Sequence, residues 1–343
     1  MSLELYTPDY SNRHEISHAS SIQMSNYYNA EGKLILVMPI NDYNIAALKN
    51  DSILYDTKKK LAFIIKNVKT DTPQNRITAN GYTTNHIINS RVIASPVAVS
   101  NIESGVYTVV EENKRGLTRL ATAPAKGLTE ATEMLLHGGA VLDKIMPILE
   151  SVELGHRMTW DYRKEEHLFE VYKGKDLTSG IHAVVFSDEQ GSARDLVIND
   201  DISTFKNVAY VVSTFKQGET ETELMEIVGT ATGDDRHEHW CDVSLNAVEG
   251  ETEEQFRARM RMHGALELGK FIRRQSFSVV IDPEELGVLY NLGDLVSCVS
   301  KRFGVKFNAR ISGMKYKKDA SGETTEVVLG EPKLTAIGGV NLG

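Results

Sequence analysis

The sequence predicts a mainly β protein with a mixed α/β insertion and one long helix, an α+β arrangement. Three observations carry this reading. Apolar runs of strand length, bounded by turn residues, fill the chain up to about residue 100 and return from about residue 206. Helical spacing is confined to the middle of the chain and to a single later segment at 252–275. With 343 residues, the chain is long enough to bury roughly 75% of its unfolded surface without a disulfide or metal staple.

In the first zone, "GKLILVMPI" at 32–40 sets Leu34, Leu36 and Met38 on one face and Ile35 and Val37 on the other. Apolar residues on both faces predict a strand covered on both sides. A second apolar strand, "KLAFIIKNVKT" at 60–70, is followed by "NRITANGY" at 75–82, with Thr72-Pro73-Gln74-Asn75 supplying turn chemistry between them. In the second zone, "LTEATEMLLHGGAVLDKIMPILESVELG" at 128–155 has helical spacing in two pieces broken at Gly138-Gly139, and Pro147 kinks or restarts the second piece. "HRMTWDY" and "HLFEVYKG" then read as a hairpin turning at Arg163-Lys164-Glu165. The third zone is again β apart from 252–275. There Thr252 and Gln255 are spaced as a capping box, and Phe256, Met260, Leu268 and Ile272 form a stripe. Acidic residues open this helix and Lys270, Arg273 and Arg274 close it, which complements the helix dipole. The expected divisions are 1–104, 105–205 and 206–343, with a helical insertion at about 250–275 in the last.

An internal echo links the outer zones. Residues 50–82 and 293–331 each read as turn, short strand, loop, longer strand, polar hairpin, strand and glycine. Asp51 is laid on Asp294, Ile53 on Val296, Ile65 on Ile311 and Gly81 on Gly330. A duplication and two unrelated three-stranded meanders both fit this pattern.

Composition narrows the function classes. A formal net charge of -9 argues against a protein held on nucleic acid by phosphate contacts. Two cysteines, Cys241 and Cys298, are too few for an extracellular disulfide framework and point to a reducing compartment. No apolar run approaches the roughly 20 residues of a membrane-spanning helix, so no stable membrane insertion is expected. The polar, acidic start "MSLELYTPDYSNRHE" does not read as a secretory signal.

The stretch "GDDRHEHWCDVSL" at 233–245 is the one candidate for chemistry. On a strand, His237, His239 and Cys241 would share a face, and His with Cys suits zinc. Ligands at i, i+2 and i+4 of a straight strand are spread over about 13 Å, since each residue rises about 3.3 Å. One ion cannot draw them together at about 2.0–2.3 Å, so a plain strand is the preferred reading. No nucleophile elbow, phosphate-binding loop or dinucleotide fingerprint occurs. The carboxylates of "RKEEH" at 163–167 fall in a predicted turn and read as a solvated face. Met134, Met146, Met260 and Met262 read as core filler, and an aromatic content of 7% gives no stacking platform for sugars or bases. No catalytic, cofactor-binding or metal-ligating residue is expected. In "NLGDLVSC" at 291–298, Gly293 can take a positive φ and Asp294 can fix a turn, although an ordinary loop fits the same residues.

The order of several motifs resembles the siphophage tail proteins of the tail-hub, or tail-associated, class. The residues that carry it lie in 169–211, where an aromatic-rich strand leads to Gly174, Asp176, Leu177 and Thr178, then "VVFS", a spacer and "NVAYV". "HEISHASSIQMSNYYNAEGKLILVMP" resembles the opening hairpin of that class. Gly81, Ile87, Ile88 and Arg91 resemble a second segment, and "YNLGDLVSCVSKRFGVKFNARISGMKYKKD" its closing barrel strands. The likeness covers nearly the whole chain. One departure is that His237 and His239 stand where the class commonly has basic residues. Longer members also append a peptidase or receptor-binding region, which nothing here matches.

The resemblance implies two β-barrel domains of the phage baseplate-hub type, joined by a mixed α/β domain. It also implies a homotrimeric ring at the virion tail tip, assembled in the bacterial host cytoplasm. Such a ring would adapt a hexameric tail tube to threefold tip components and let DNA pass without specific nucleic-acid binding. The implied partners are distal tail and tail-tube proteins, a tape-measure protein and a tail fibre or spike. No enzyme activity and no cofactor are expected. Two alternatives are a tail-tip cell-wall hydrolase, and a host carbohydrate-binding module, which would want exposed aromatics grouped on one face.

Overall fold

The computed structural model describes residues 2–187, 189, 194–217, 220–245, 247, 250–271, 274–281 and 285–336. They divide into two compact units, one of 1–197 with 277–343 and one of 198–276. Strands dominate and helices are few.

The sheet that runs through the first unit begins at Arg194–Asp201 and Arg274–Val280 and continues to Gly322–Ala336. It runs through Val305–Asp319, Ser21–Tyr27, Lys33–Pro39, Arg76–Thr83, Leu61–Asp71, Ile53–Asp56 and Leu3–Tyr6 to Arg13–Ile16. Leu295–Ser300 lies antiparallel on Val305–Arg310, and Val185–Ser187 pairs with it in parallel. Among the described residues this pairing is an open path whose ends are not hydrogen-bonded to each other. Strands from both ends of the chain share one core, in which Leu5, Leu36, Phe63 and Ile65 are buried with Phe186, Val296, Ile311 and Leu329. Each such side chain contributes about 1.5–3 kcal/mol through removal from water. The strand Lys33–Pro39 is covered on one face only. Leu34, Leu36 and Met38 are buried, whereas Ile35 is 40% exposed, so the expectation of two covered faces is corrected.

The echo proves to be a repeat of backbone geometry. Ile53–Asp56, Leu61–Asp71 and Arg76–Thr83 form one antiparallel meander, and Leu295–Ser300, Val305–Asp319 and Gly322–Ala336 form another. In both, the first hairpin closes through four residues, the last of them left-handed: Lys60 at φ 54° and Gly304 at φ 64°. In both, the middle strand shifts register just after an isoleucine, between Ile65 and Asn67 and between Ile311 and Gly313. That isoleucine exchanges two backbone hydrogen bonds with the entry to the first strand. Asp51 N–H donates to Ile65 O and Ile65 N–H to Ser52 O; Gly293 N–H donates to Ile311 O and Ile311 N–H to Asp294 O. Asp51 at φ 67° is therefore the equivalent of Gly293 at φ 94°. The sequence pairing of Ile65 with Ile311 holds, while Asp51 with Asp294 and Ile53 with Val296 are each one residue out. Gly81 with Gly330 is also out by one, because Gly81 faces Ile65 and Leu329 faces Ile311. The first hairpin of the second meander is two residues longer on each strand, which obscures the register in a linear alignment.

A second core in the same unit is built from 88–171. The helices Ile102–Asn113 and Val141–Ser151 pack with the pair Val97–Asn101 and Ala131–Leu136, and with a sheet of Leu120–Thr122, Glu166–Tyr172 and Gly155–Asp161. The hairpin expected around 163–165 forms, with Glu165 left-handed at φ 51°. The first of the two helical pieces expected in 128–155 is instead the strand Ala131–Leu136, hydrogen-bonded to Val97–Asn101. Its Leu135 is 59% exposed and Leu136 buried, an alternation of period two that a short apolar run hides. Gly138 and Gly139, both at positive φ, part it from the helix, which carries Pro147 inside it.

The second unit centres on Val208–Gln217, flanked by Thr220–Val228 in antiparallel and Glu238–Asp242 in parallel fashion. The helix Glu253–Leu268 covers one face of this sheet, and its capping box of Thr252 and Gln255 is formed as expected. Phe256 and Met260 are fully buried and Leu268 packs beside them, while Ile272 and Arg273 lie outside the described residues. The helix ends at Leu268 because Gly269 caps it, so Lys270 lies past the last turn and Arg274 begins a strand. The dipole is thus met by Glu253 and Glu254 at the start but by no base in the last turn. The helix expected at about 250–275 belongs to a larger body of 198–276 with a sheet of its own.

Burial along this helix sets a test. Met260→Ala, at a fully buried position, is expected to destabilise the unit by about 2–5 kcal/mol. Met262→Ala, at a position 62% exposed, should change stability by no more than about 0.5 kcal/mol. Urea unfolding followed by tryptophan fluorescence checks both, and equal losses would contradict the assignment of the buried face.

Candidate functional site

Two stretches marked by sequence, Gly174–Thr178 and Asn291–Cys298, meet face to face. Lys175 N–H donates to Asp294 Oδ1 at 2.8 Å, and Asn291 N–H donates to Asp294 Oδ2 at 2.8 Å. Leu295 N–H donates to Lys175 O, and Leu177 N–H to Leu295 O, each at 2.8 Å. Asp294 therefore spends both carboxylate oxygens on backbone amides, which is why it is tolerated at 3% exposure. Asp176 fixes its own turn by accepting from Thr178 N–H and Oγ1 at 2.9 and 2.7 Å.

Tyr28 is the pivot of this junction, and it was not singled out in the sequence. The side chain is 2% exposed. Its hydroxyl lies 3.1 Å from the carbonyl oxygens of Glu153 and Tyr172, which share its proton, and it accepts from Gly174 N–H at 3.2 Å. Its own amide donates to Ser312 O and its carbonyl accepts from His156 N–H. Burial pushes the phenol pKa up, so the hydroxyl stays protonated as a donor. Arg310 places its guanidinium 5.4 Å from the ring centroid while donating to Gly293 O and to the Glu153 carboxylate, each at 2.7 Å. Backbone packs against backbone here. A Cβ on Gly293 would come within 2.3 Å of the Tyr28 ring, and one on Gly174 within 1.7 Å of Gly293 O. The only textual signal was three glycines, Gly155, Gly174 and Gly293, far apart in sequence and all needed around one ring. The arrangement positions strands and turns; its polar groups are committed to backbone partners rather than aimed at a ligand.

The stretch at 233–245 forms the strand Glu238–Asp242, with His239 and Cys241 turned inward and Trp240 outward. The His237 ring meets Phe205 edge-on at 5.5 Å, and His239 lies 4.5 Å from the Phe271 ring. Cys241 is buried in the core beside Met260, and burial raises its thiol pKa, which disfavours the reactive thiolate. Among the described residues no group of three or more His, Cys, Asp or Glu is arranged to hold a metal. A cleft of about 370 Å³ nevertheless lies beside this strand, lined by His239, Trp240, Asp242, Ser244, His263 and Glu267 among others.

Other expectations need correction. Met260 is core, but Met262 is 62% exposed. His167, in the expected second strand of the hairpin, is buried, with Nε2 2.7 Å from Tyr10 Oη, among Trp160, Tyr10 and Arg119. Glu165 pairs with Arg119 at 2.6 Å. The low aromatic content also misled: Tyr210 and Trp240 come together on an exposed sheet face. Part of the spacer after "VVFS", residues 188 and 190–193, lies outside the described residues.

Two measurements follow from this geometry. Gly293→Ala combines a left-handed φ with contact against the Tyr28 ring and is expected to destabilise by about 2–5 kcal/mol. Tyr28→Phe leaves the Gly174 amide without its acceptor and should cost about 1–3 kcal/mol. Denaturant melts of both test whether the junction is the keystone. Acid supplies the second. Burial lowers the pKa of His156 to about 4 and of His167 to about 3, so both are neutral when folded. The unfolded chain binds protons at about 6.5, so stability present above that pH is lost as pH falls toward the folded values. A loss of about 1.4 kcal/mol per histidine per pH unit is expected between pH 6 and pH 4.5. His167→Gln should remove about half of the histidine part of that slope, and an unchanged slope would refute the assignment.

No curated protein matches the sequence. The tail protein from Neisseria meningitidis MC58 is 12% identical with a TM-score of 0.58, the alignment covering 96% of each chain. The prophage MuSo2 43 kDa tail protein from Shewanella oneidensis is 11% identical with a TM-score of 0.58, over 96% of this chain and 98% of that one. Prophage tail protein gp18 from Listeria monocytogenes EGD-e is 13% identical with a TM-score of 0.53, over 96% and 94%. At such identities the likeness is one of fold, and the fold is that of phage tail proteins. The family model described as Siphovirus ReqiPepy6 Gp37-like protein spans residues 2–331, and the chain belongs to that family of siphovirus tail proteins.

Proposed function

We propose that this tail protein is the baseplate hub of a phage or prophage tail tip, a structural component without catalytic residues or cofactor. The observation that carries the proposal is the repeated meander, with its shared four-residue turn, left-handed entry and bulge after Ile65 and Ile311. Three chains with two such meanders present six similar elements, so a homotrimeric ring can meet a hexameric tail tube on one side and threefold components on the other. In this reading each meander belongs to one barrel-like domain, of 1–104 and 206–343, with 105–205 between them and the 198–276 body inserted near the start of the second. Ring closure would cover strand edges that are a liability in an isolated chain.

The hub would join tube and distal tail proteins, tape-measure protein and fibre or spike. Its acidic balance, a formal net charge of -9, suits a bore through which DNA slides without sticking. A hydrolase is less well supported, since its candidates His237, His239 and Cys241 pack against aromatic rings or in a core. Light scattering of the protein mixed with its cognate tube and distal tail proteins tests the reading. The expected ring mass is three times the 38.1 kDa chain. A persistent monomer in that mixture, or a ring of six chains, would overturn it.

A further inference from the structure

The sheet of the second unit has a face that its helix does not cover. Ala209, Val211, Phe215, Leu224 and Cys241 point to the helix core, so their neighbours along each strand point away. On that outer face Tyr210 stands in register between Ile227 and Trp240, and Val212 between Met225 and Asp242. Trp240 is 62% exposed, Met225 51% and Ile227 50%. The Tyr210 and Trp240 rings are nearly parallel, 17° apart with centroids 6.5 Å apart, and Trp240 is the more exposed of the two.

This pair is held in place. Tyr210 Oη donates to Glu238 Oε1 at 3.1 Å and accepts from Arg236 Nη2 at 2.9 Å, and Arg236 also pairs with Glu238. Its orientation is therefore set before any ligand arrives, which lowers the entropy lost on binding. Charged groups border the rings closely: Arg236 and Glu238 on one side, Asp242 on the other. The cleft of about 370 Å³, which Trp240 also lines, lies next to them and falls in the range of small-ligand sites.

The chemistry selects an occupant. A protein interface of ordinary size buries about 800 Å² per partner and is depleted of charge at its centre. Here charge stands beside the rings themselves, with Arg236 and Glu238 at Tyr210 and Asp242 next along the strand from Trp240. A pyranose has the complementary character: a face of C–H bonds that lies flat on an aromatic ring, and an edge of hydroxyls that donate to carboxylates and accept from arginine. Carboxylates outnumber the one guanidinium, so anionic sugars are repelled. We propose that the Tyr210–Trp240 strip, with the cleft beside it, is a binding site for neutral glycans. The proposal stands on the second unit alone and does not depend on the hub reading.

The full chain carries its own reporter, because Trp160 is only 4% exposed and Trp240 dominates surface quenching. The protein is applied to an array of neutral oligosaccharides with polygalacturonate and heparin fragments as anionic controls. Chitotetraose and cellotetraose are titrated in parallel. The expected result is retention on neutral glycans only, with saturable protection of Trp240 from acrylamide. Trp240→Ala should weaken binding at least about tenfold while Trp240→Phe, which keeps a ring, retains most of it. Trp240 is exposed, so both variants should melt like the parent, which separates loss of binding from misfolding. Absence of any neutral glycan from the retained set, binding unaffected in Trp240→Ala, or shielding of Trp240 only by self-association at high protein concentration would each overturn the proposal.

Discussion

Around the Tyr28 ring, three backbone segments approach more closely than any side chain would permit. Gly155, Gly174 and Gly293 supply that closeness, and the Tyr28 hydroxyl and Asp294 carboxylate repay the buried amides and carbonyls with hydrogen bonds. The rest of the first unit follows from this contact. It fixes where the strand Ser21–Tyr27 ends, where Gly155–Asp161 begins and how the 291–295 turn enters the closing meander. Ser312, the bulged residue of the long strand Val305–Asp319, accepts from the Tyr28 amide. On one edge of that strand, residues up to Arg310 pair with Leu295–Ser300 and residues from Gly313 pair with Ser21–Tyr27. The bulge is thus the point where one strand changes neighbours, and the tyrosine holds it there.

The same device recurs at 65–67 with different residues. Asp51 occupies the left-handed position that Gly293 holds in the second copy, and Lys60 the one held by Gly304. Non-glycine residues in that region are strained, so geometry rather than residue identity has been kept. The difference has a physical cause: Gly293 must admit the Tyr28 ring, whereas Asp51 is exposed and pairs with Lys66 at 2.6 Å. One copy serves a buried junction and the other faces solvent.

Legibility from sequence was uneven for physical reasons. The helix Glu253–Leu268 was read well because its cap and its spacing of apolar residues are local. Ala131–Leu136 was misread as helix because two adjacent leucines satisfy either period, and only pairing with Val97–Asn101 decides between them. The burial of His167 is not legible in the sequence because nothing nearby announces Tyr10, Trp160 and Arg119. The Tyr210–Trp240 pair was missed for the same reason: 30 positions separate residues that a parallel register sets side by side.

The amino-acid sequence by itself determined the strand-rich character, the capped helix, the turns at 72–75 and 163–165, and the motif order that carries the tail-protein resemblance. These depend on side-chain periodicity and turn preference within a few residues of each other. Tertiary structure alone decided that both chain ends share a core, that Tyr28 is the pivot, and which residues of the two meanders correspond. The first two rest on contacts between residues more than a hundred positions apart, and the third on backbone hydrogen bonds that impose a register the sequence does not carry.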